Sequence, residues 1–415
     1  MKVEVTNPDH HLRRAAVQNE STSPSTPWNK TRVSSILGIE YPIIQGPLGG
    51  LSTQKLTATV SNFGGLGSFG AHGLRPSAIK DVIAEIRELT AKPFAMNLWV
   101  STEDEGARSS GREEFARSLK HLAGHIEALG AALPDHKPYA PVRFEDQVRI
   151  LLDAKIPVFS FIMGVPPKEI LDECRTNGIL TIGTATTVAE AVVLEQSGVN
   201  VIVASGFEAG GHRGSFLMPA EDSLTGTFSL TPQVVDAISV PVVAAGGIAD
   251  ARGIISAFAL GAEGVQIGTA FLATEDAGAS VNHRNALLSP TAQRTSLTKG
   301  FTGRLARGVH NQLIEELNRP GVEILPYPLQ RLLVKNLAVL AEKAGRTELL
   351  QLWAGQSASL TRRTDVKTLL QILISEVNVI ADPVVDWNRE RRCKKVNVKL
   401  EVPRLRFGGS DGASK

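Results

Sequence analysis

From Thr31 onward, short runs of apolar and β-branched residues alternate with segments whose apolar side chains recur at helical spacing. Each apolar run is five to seven residues long, which is typical of a buried strand. Glycines mark many of the junctions between the two patterns. The predicted strands are Tyr41–Gln45, Gly65–Phe69, Phe94–Val100, Val158–Met163, Leu180–Thr184, Val201–Ser205, Val240–Ala245 and Gly264–Gly268.

Four of the intervening segments have a clear helical period, and they are Ser77–Leu89, Pro167–Thr176, Val188–Gln196 and Ala251–Leu260. Strands that are nearly all apolar and alternate with helices indicate a parallel sheet covered by helices. Eight such units are the number that closes a (β/α)8 TIM barrel, which is the predicted α/β fold. A doubly wound open sheet is the alternative.

The rhythm also divides the chain into segments. Residues 1–30 are polar and predict a flexible N-terminal arm, and residues 31–289 predict the barrel. An interruption at 101–140, after the third strand, predicts a helical excursion or a lid. Beyond the barrel, 290–387 predicts a helical segment over the barrel mouth, and 388–415 predicts a flexible tail.

Composition narrows the class of protein. Of 415 residues, 42% are hydrophobic, which is enough for a sizeable core. The formal net charge is +2, from 44 Lys and Arg against 42 Asp and Glu, so nothing suggests a nucleic-acid partner. No apolar run reaches the roughly 18 residues of a membrane span, and the N-terminus has no apolar signal core.

Two cysteines, Cys174 and Cys393, cannot form a disulfide framework or a multi-cysteine metal site. We therefore expect a chain of the reducing cytoplasm, without a metal. The segment 388–407 is basic, with eight Lys or Arg against two Glu. This run indicates a solvated tail, with binding to an anion or a partner as the alternative.

Glycine-rich stretches follow the last three predicted strands. Residues 206–214 read Gly-Phe-Glu-Ala-Gly-Gly-His-Arg-Gly, residues 246–250 read Gly-Gly-Ile-Ala-Asp, and Gly268-Thr269 ends the eighth strand. Glycine lets backbone N–H groups approach a phosphate closely, and phosphate sites recur at strands seven and eight of such barrels. We predict phosphate binding here, against turn geometry alone.

Two common nucleotide motifs are missing from the sequence. There is no P-loop, and Gly65-Leu66-Gly67 lacks the third glycine of a dinucleotide fingerprint. The phosphate ligand is therefore expected to be a mononucleotide-like cofactor.

Several longer motifs resemble one family. They are Ile44–Thr53, Val60–Gly67, Phe94–Leu98, the Glu-Ala-Gly-Gly-His-Arg-Gly loop, Gly268–Leu272 and Trp353–Ser357. In this order they are similar to nitronate monooxygenases, formerly 2-nitropropane dioxygenases, over residues 33–375. The resemblance implies an FMN-containing barrel that oxidises nitronates with dioxygen. Flavin-dependent enoyl reductases and NADH–quinone reductases belong to the wider group.

The resemblance also implies the cofactor contacts, carried over motif by motif. They are Gln45, Gly46, Pro47, Leu48, Asn97, Ser205, Gly210, Gly211, Gly247, Gln266, Ile267, Gly268 and Thr269. Ser205 stands where the family usually has glutamine, which shortens the reach of that side chain.

His212 matches the catalytic base of the family. Histidine suits the removal of an α-proton because its pKa lies near working pH. The alternative is that His212 orders the glycine loop or touches the phosphate.

Three residues are predicted for the substrate pocket: Ile162, Tyr327 and Lys335. Ile162 replaces a histidine that many members carry on the fourth strand, so the pocket is expected to be more apolar and the substrate larger. The alternative for Tyr327 is that it caps a Pro-rich turn. The alternative for Lys335 is that it is a solvated charge on a helix. His72 is expected in a surface loop, with the pocket edge as the alternative.

These features predict an FMN-dependent enzyme that converts a nitro compound or nitronate and O2 into a carbonyl compound and nitrite. The alternatives are an NAD(P)H-dependent enone or quinone reductase, an oxidase acting on a larger apolar metabolite, and a flavin-binding or sugar-phosphate-binding barrel without turnover. The predicted substrate is a small molecule. The sequence does not decide whether the chain forms a homodimer.

Overall fold

A barrel of eight parallel strands forms the centre of the computed structural model, which describes residues 27–137, 139 and 142–381. Six barrel strands precede a two-residue strand, β7, and two follow it. The strands are β1 (Ile43–Gln45), β2 (Gly67–Gly70), β3 (Phe94–Trp99), β4 (Val158–Ile162), β5 (Leu180–Ala185), β6 (Val201–Ser205), β7 (Gly211–His212), β8 (Val242–Ala245), β9 (Gly264–Ile267), β10 (Thr295–Thr298) and β11 (Ala306–Val309).

The order of the barrel strands is β1-β9-β8-β6-β5-β4-β3-β2. The remaining seam, between β2 and β1, is bridged where Leu66 pairs in parallel with Ile44, and the amide of Gln45 donates to the Leu66 carbonyl (2.9 Å). The eight strands thus form a nearly closed barrel, which confirms the predicted fold class. Each predicted strand overlaps an observed one, with ends that differ by at most two residues.

The α-helices of the described part of the chain mostly follow strands and cover the outside of the barrel. They are α1 (Arg32–Leu37), α2 (Gln54–Phe63), α3 (Pro76–Leu89), α4 (Arg112–Ala128), α5 (Phe144–Asp153), α6 (Lys168–Thr176), α7 (Val188–Gln196), α8 (Thr227–Ala237), α9 (Ala251–Ala259), α10 (Thr269–Leu272), α11 (Val281–Leu287), α12 (Gln312–Leu317), α13 (Leu329–Lys343) and α14 (Val366–Ile380). None of the described helices is long and apolar enough to cross a bilayer.

The barrel interior is apolar and closed at its lower end. Val33 and Leu37 of α1 pack with strand residues such as Ile182 and Val203. The carboxylate of Glu263 accepts hydrogen bonds from the backbone and side chain of Arg32, which fixes α1 under the barrel. The strands have their carboxyl termini at the opposite end, which is where the active sites of such barrels lie.

The segment 290–387, predicted to be helical and to lie over the barrel mouth, differs in two ways. It contains β10 and β11, which form an antiparallel sheet with β7. These strands are four residues long and partly polar, so their pattern carries no strand period. In addition, α14 packs on the barrel wall against α9 and α2, where it completes the ring of helices.

The insertion 101–140 contains one helix, α4, which packs against α13. The predicted arm lies outside the described residues except for its last four, and Trp28 among these is buried. The predicted tail, 388–415, lies wholly outside them.

Gly67 sets the distance between α2 and the sheet. A Cβ at this position would overlap the carbonyl oxygen of Thr57, which is backbone and cannot move aside. We expect Gly67→Ala to lower the free energy of unfolding by about 3 kcal/mol, the upper part of the range for overpacking. Chemical denaturation would measure this loss.

Gly124→Ala is the matched control. Gly124 is exposed on α4 and has open space around it, so alanine should raise stability by up to about 1 kcal/mol. Equal stability of the two variants would show that α2 can move away from β2 and make room for a methyl group at residue 67.

Candidate functional site

The loop after β6, residues 206–214, lies against a second backbone segment at the carboxyl end of the barrel. A Cβ on Gly210 would sit 2.6 Å from the carbonyl carbon of Ala354 and 2.6 Å from the nitrogen of Gly355. The carbonyl oxygen of Glu208 accepts a hydrogen bond from the amide of Gln356 (2.9 Å). Because backbone meets backbone directly, the two segments hold each other in place.

Two charged side chains, those of Glu208 and Arg213, hold this loop in place through hydrogen bonds. The Glu208 carboxylate accepts hydrogen bonds from the amide of Thr227 (2.8 and 2.9 Å) and from its hydroxyl (2.9 Å). Arg213 is buried and donates to the carbonyl oxygens of Thr186 (3.1 Å), Ser205 and Ser223. Burial lowers the pKa of Arg213 to about 10, so the guanidinium stays charged at neutral pH.

His212 is carried by β7, which pairs with β11 opposite Ala306. Its Nε2 lies 2.7 Å from Oγ1 of Thr302. The ring stacks edge-on to Trp99, with ring centroids 4.7 Å apart, and packs against Trp353 at 5.2 Å. The imidazole is therefore enclosed by aromatic rings, with one polar partner.

The surroundings of His212 favour its neutral form. Desolvation by burial, followed by the charges of Arg331 and Arg304, lowers its pKa to about 3. The hydroxyl of Thr302 also lies 3.4 Å from the carbonyl oxygen of Arg304. When that hydroxyl donates to the carbonyl, its oxygen accepts from Nε2–H of His212, and Nδ1 is left as the proton acceptor.

His72, Trp99 and Tyr327 form the opposite wall. The His72 and Trp99 rings meet edge-on at 3.7 Å, and Trp99 and Tyr327 pack at 5.3 Å. The Tyr327 hydroxyl lies 3.1 Å from Nε2 of His72. His72, expected in a surface loop, is only 9% exposed, and burial lowers its pKa well below the usual value.

Two cations border this aromatic pocket. The guanidinium of Arg304 lies over the rings of Tyr327 (4.5 Å) and Trp99 (5.6 Å). Arg331, from α13, lies 3.3 Å from both Nε2 of His72 and the hydroxyl of Tyr327. The pocket therefore combines apolar walls with positive charge, a combination that favours a small anion.

Of the three predicted pocket residues, two belong to this pocket. Tyr327 forms part of the wall, and Ile162 packs beside Trp99 and Tyr327. Ile162 also lies against Gly214, where a Cβ would overlap its Cδ1. The expectation for Lys335 is corrected, because its side chain is exposed on α13. Arg331, one turn earlier, provides the cation instead.

The turns after β8 and β9 lie beside the 206–214 loop. The carbonyl of Gly247 accepts from the Ser357 hydroxyl (2.5 Å), and the hydroxyl of Thr269 accepts from the amide of Gly355 (2.9 Å). The backbone N–H groups that donate no hydrogen bond to another described residue include those of Gly247, Ile248, Gly268 and Thr269. Such a set of amides can hold an anion.

Open space adjoins two of the predicted phosphate glycines. A Cβ on Gly211 or Gly268 would meet no atom within 4 Å. Gly210 is different, because its missing side chain is already required by the contact with Ala354. Gly210 therefore serves packing, and Gly211 borders unfilled space.

The other predicted cofactor residues lie in the upper layer of the barrel. The side chain of Gln45 is fully buried and accepts from the Ser68 amide (2.9 Å), so it bridges the β1–β2 seam. Asn97 is buried and donates to the Ser160 hydroxyl (3.0 Å). The Gly46 amide donates to the carbonyl of Ile267 (2.8 Å), which joins the first loop to β9.

Sequence reasoning missed several residues of the site: Trp99, Glu208, Arg213, Thr302, Arg304 and Arg331. Trp99 could have been predicted, because it ends β3 and the carboxyl ends of the strands line a barrel mouth. Arg304 and Arg331 carried no comparable signal. They reach the pocket through the hairpin and helix that follow the barrel, whose placement no local pattern fixes.

Comparison with known proteins adds relatives over most of the chain. Residues 30–376 match the model of the nitronate monooxygenase family. A probable nitronate monooxygenase of Staphylococcus aureus strain Newman is 39% identical over 358 residues, covering 85% of this chain and 99% of that protein. The protein of that name from strain JH9 is 40% identical over 354 residues, with the same coverage.

Solved structures agree with these relatives. Nitroalkane oxidase from Streptomyces ansochromogenes is 34% identical, with a TM-score of 0.76, and the match covers 87% of this chain and 100% of that one. FabK from Thermotoga maritima is 27% identical, with a TM-score of 0.65 over 87% and 99% of the two chains.

Proposed function

The chain belongs to the nitronate monooxygenase family, and from this premise we propose that it uses FMN and dioxygen to oxidise a nitronate or nitroalkane. The products are a carbonyl compound and nitrite. The observation that carries the proposal is the half-buried imidazole of His212, which packs between Trp99 and Trp353 in a pocket that also holds the charges of Arg304 and Arg331. Such a pocket supplies a proton acceptor and stabilises an anion at the same place.

The backbone around the barrel mouth fits the phosphate of FMN. The unpartnered amides of Gly247, Ile248, Gly268 and Thr269 match an anionic oxygen group, and the open space at Gly211 and Gly268 leaves room for it. When bound, FMN supplies the electron acceptor of the reaction. The residues proposed to hold it are Gln45, Gly46, Pro47, Leu48, Asn97, Ser205, Gly210, Gly211, Gly247, Gln266, Ile267, Gly268 and Thr269.

His212 is proposed to take the α-proton of a neutral nitro compound. The proton passes to the ring nitrogen, and the electron pair of the C–H bond moves into the nitro group, which becomes a nitronate anion. The positive field of Arg304 and Arg331 favours that anion over the neutral compound. The same field disfavours a protonated His212 in the empty pocket, and the anion beside it offsets this cost once the proton has moved.

The aromatic walls serve the same step by excluding water. Trp99 and Trp353 flank the imidazole, so the charges of the pocket act at low dielectric, where they are stronger. A nitronate that arrives already ionised needs no proton acceptor. It needs only the cationic pocket and the bound flavin.

The phosphate site can be tested at Gly268. Its backbone has an ordinary φ of −102°, and a Cβ would meet no protein atom, so Gly268→Val should fold normally while occupying the space proposed for the phosphate. We expect the purified variant to lose most of its flavin, measured by absorbance after denaturation.

Gly124→Val is the control for this test, because it places the same side chain on the exposed face of α4. It should keep the flavin content of the wild type. A Gly268→Val protein with full flavin would show that the phosphate lies elsewhere.

The role of His212 predicts a split between two substrates. For His212→Asn, turnover of neutral 2-nitropropane should fall by roughly 10²–10⁴, the usual contribution of a positioned acid–base group. Turnover of propane-2-nitronate should fall far less, because its proton is already gone. Oxygen consumption with each substrate measures both rates.

Flavin content provides the internal control, since His212→Asn should retain the cofactor. Equal losses on the two substrates, or no loss on either, would exclude His212 as the base.

A further inference from the structure

The two arginines of the pocket differ in what they already bind. Arg304 is paired with the Asp104 carboxylate (2.7 Å), and it also donates to the carbonyl and hydroxyl of Ser101 (2.9 and 2.8 Å). Its Nη1 lies 2.9 Å from the sulfur of Met163. With a carboxylate partner and with its donors engaged, Arg304 ties the insertion to the barrel mouth.

Arg331 has no such carboxylate. Among the residues that the structure describes, no Asp or Glu lies within ion-pair distance of its guanidinium. Its side-chain hydrogen bonds use Nη1 alone, toward His72 and Tyr327. Nε–H and the Nη2 hydrogens donate to no other described residue, so one edge of the planar group retains its donors.

The contacts of Nη1 fix the orientation of this edge. Arg331 donates to Nε2 of His72 in the neutral tautomer that carries its proton on Nδ1, and burial favours a neutral ring because it lowers the pKa of His72. Trp99 packs on His72 (3.7 Å) and thereby holds the acceptor ring. The guanidinium is thus positioned by three buried side chains before any ligand binds.

The end of the fourth strand adds no polar side chain to this cluster. Ile162, at the end of β4, is apolar and faces the same cluster of side chains. A planar anion with two oxygens therefore finds its bidentate partner on α13. Arginine is the side chain best suited to this geometry, because its parallel N–H donors match two oxygens in one plane.

We propose that Arg331 is the anion-binding residue of the pocket and that it holds the two oxygens of a nitronate through Nε–H and Nη2–H. The inference rests on the proposed function and deepens it, because it assigns the residue that binds the two oxygens of the nitronate. His72 and Tyr327 act as positioning residues in this inference, since both contact Nη1 of the guanidinium.

The test compares Arg331→Gln and Arg331→Lys with Lys343→Gln, which removes an exposed charge from the same helix. For Arg331→Gln, KM for propane-2-nitronate should rise about 10- to 100-fold, the effect of losing a charge-assisted bidentate pair. The turnover number should change far less. Arg331→Lys, which keeps the charge but not the fork, should give an intermediate KM, and Lys343→Gln should match the wild type.

A binding measurement separates this inference from the proposed function. Isobutyrate is similar to propane-2-nitronate in size and charge and also has two oxygens in one plane, but it is not a substrate for the proposed oxidation. Calorimetry should show that it binds the flavin-loaded wild type and the Lys343→Gln variant, and binds Arg331→Gln at least tenfold more weakly.

Loss of isobutyrate binding in Arg331→Gln supports the anion site even if the wild type oxidises no nitronate, in which case the proposed function fails alone. Unchanged KM and unchanged isobutyrate binding in Arg331→Gln would overturn the inference while nitronate oxidation stands. A fall in turnover number with an unchanged KM would also overturn it, because it would show a purely structural role.

Discussion

Direct contact between backbones at the barrel mouth is the constraint on which the site depends. Residues 206–214 lie on residues 353–357 with no side chain between them at Gly210, and a Cβ on Gly355 would sit 2.9 Å from the carbonyl oxygen of Glu208. Any side chain at these points would separate the segments. Because β7 continues from this contact and pairs with β11, the same constraint fixes His212 relative to Thr302 and the aromatic rings.

A second effect gives this geometry its chemistry. Trp99 and Trp353 shield the half-buried imidazole from part of the solvent, and the charges of two nearby guanidinium groups penalise its protonation further. In the protein without a bound anion, protonation of the imidazole therefore costs electrostatic free energy, and the neutral ring is favoured. When an anion forms or binds in the pocket, the same cations become favourable, so the site is complementary to a charge that appears during the reaction.

The barrel could be predicted because its strands are buried on both faces and are therefore mostly apolar. Short glycine loops after β6, β8 and β9 also predicted the end of the barrel where the site lies. Lys335 and His72 show the limit of this reasoning. A helix period locates α13 but does not set its rotation over the mouth, so Lys335 faces out and Arg331 faces His72. Likewise, His72 is buried only because Trp99 and Tyr327 come from distant parts of the chain.

The central claim is that this barrel transfers electrons from a nitronate to a bound flavin. Anaerobic mixing of the purified, flavin-loaded protein with propane-2-nitronate, NADH or NADPH tests it most directly, with flavin absorbance as the readout. We expect the nitronate to bleach the flavin and both nicotinamides to leave it oxidised. Bleaching by NADH or NADPH with no response to the nitronate would contradict the account and make the protein a reductase.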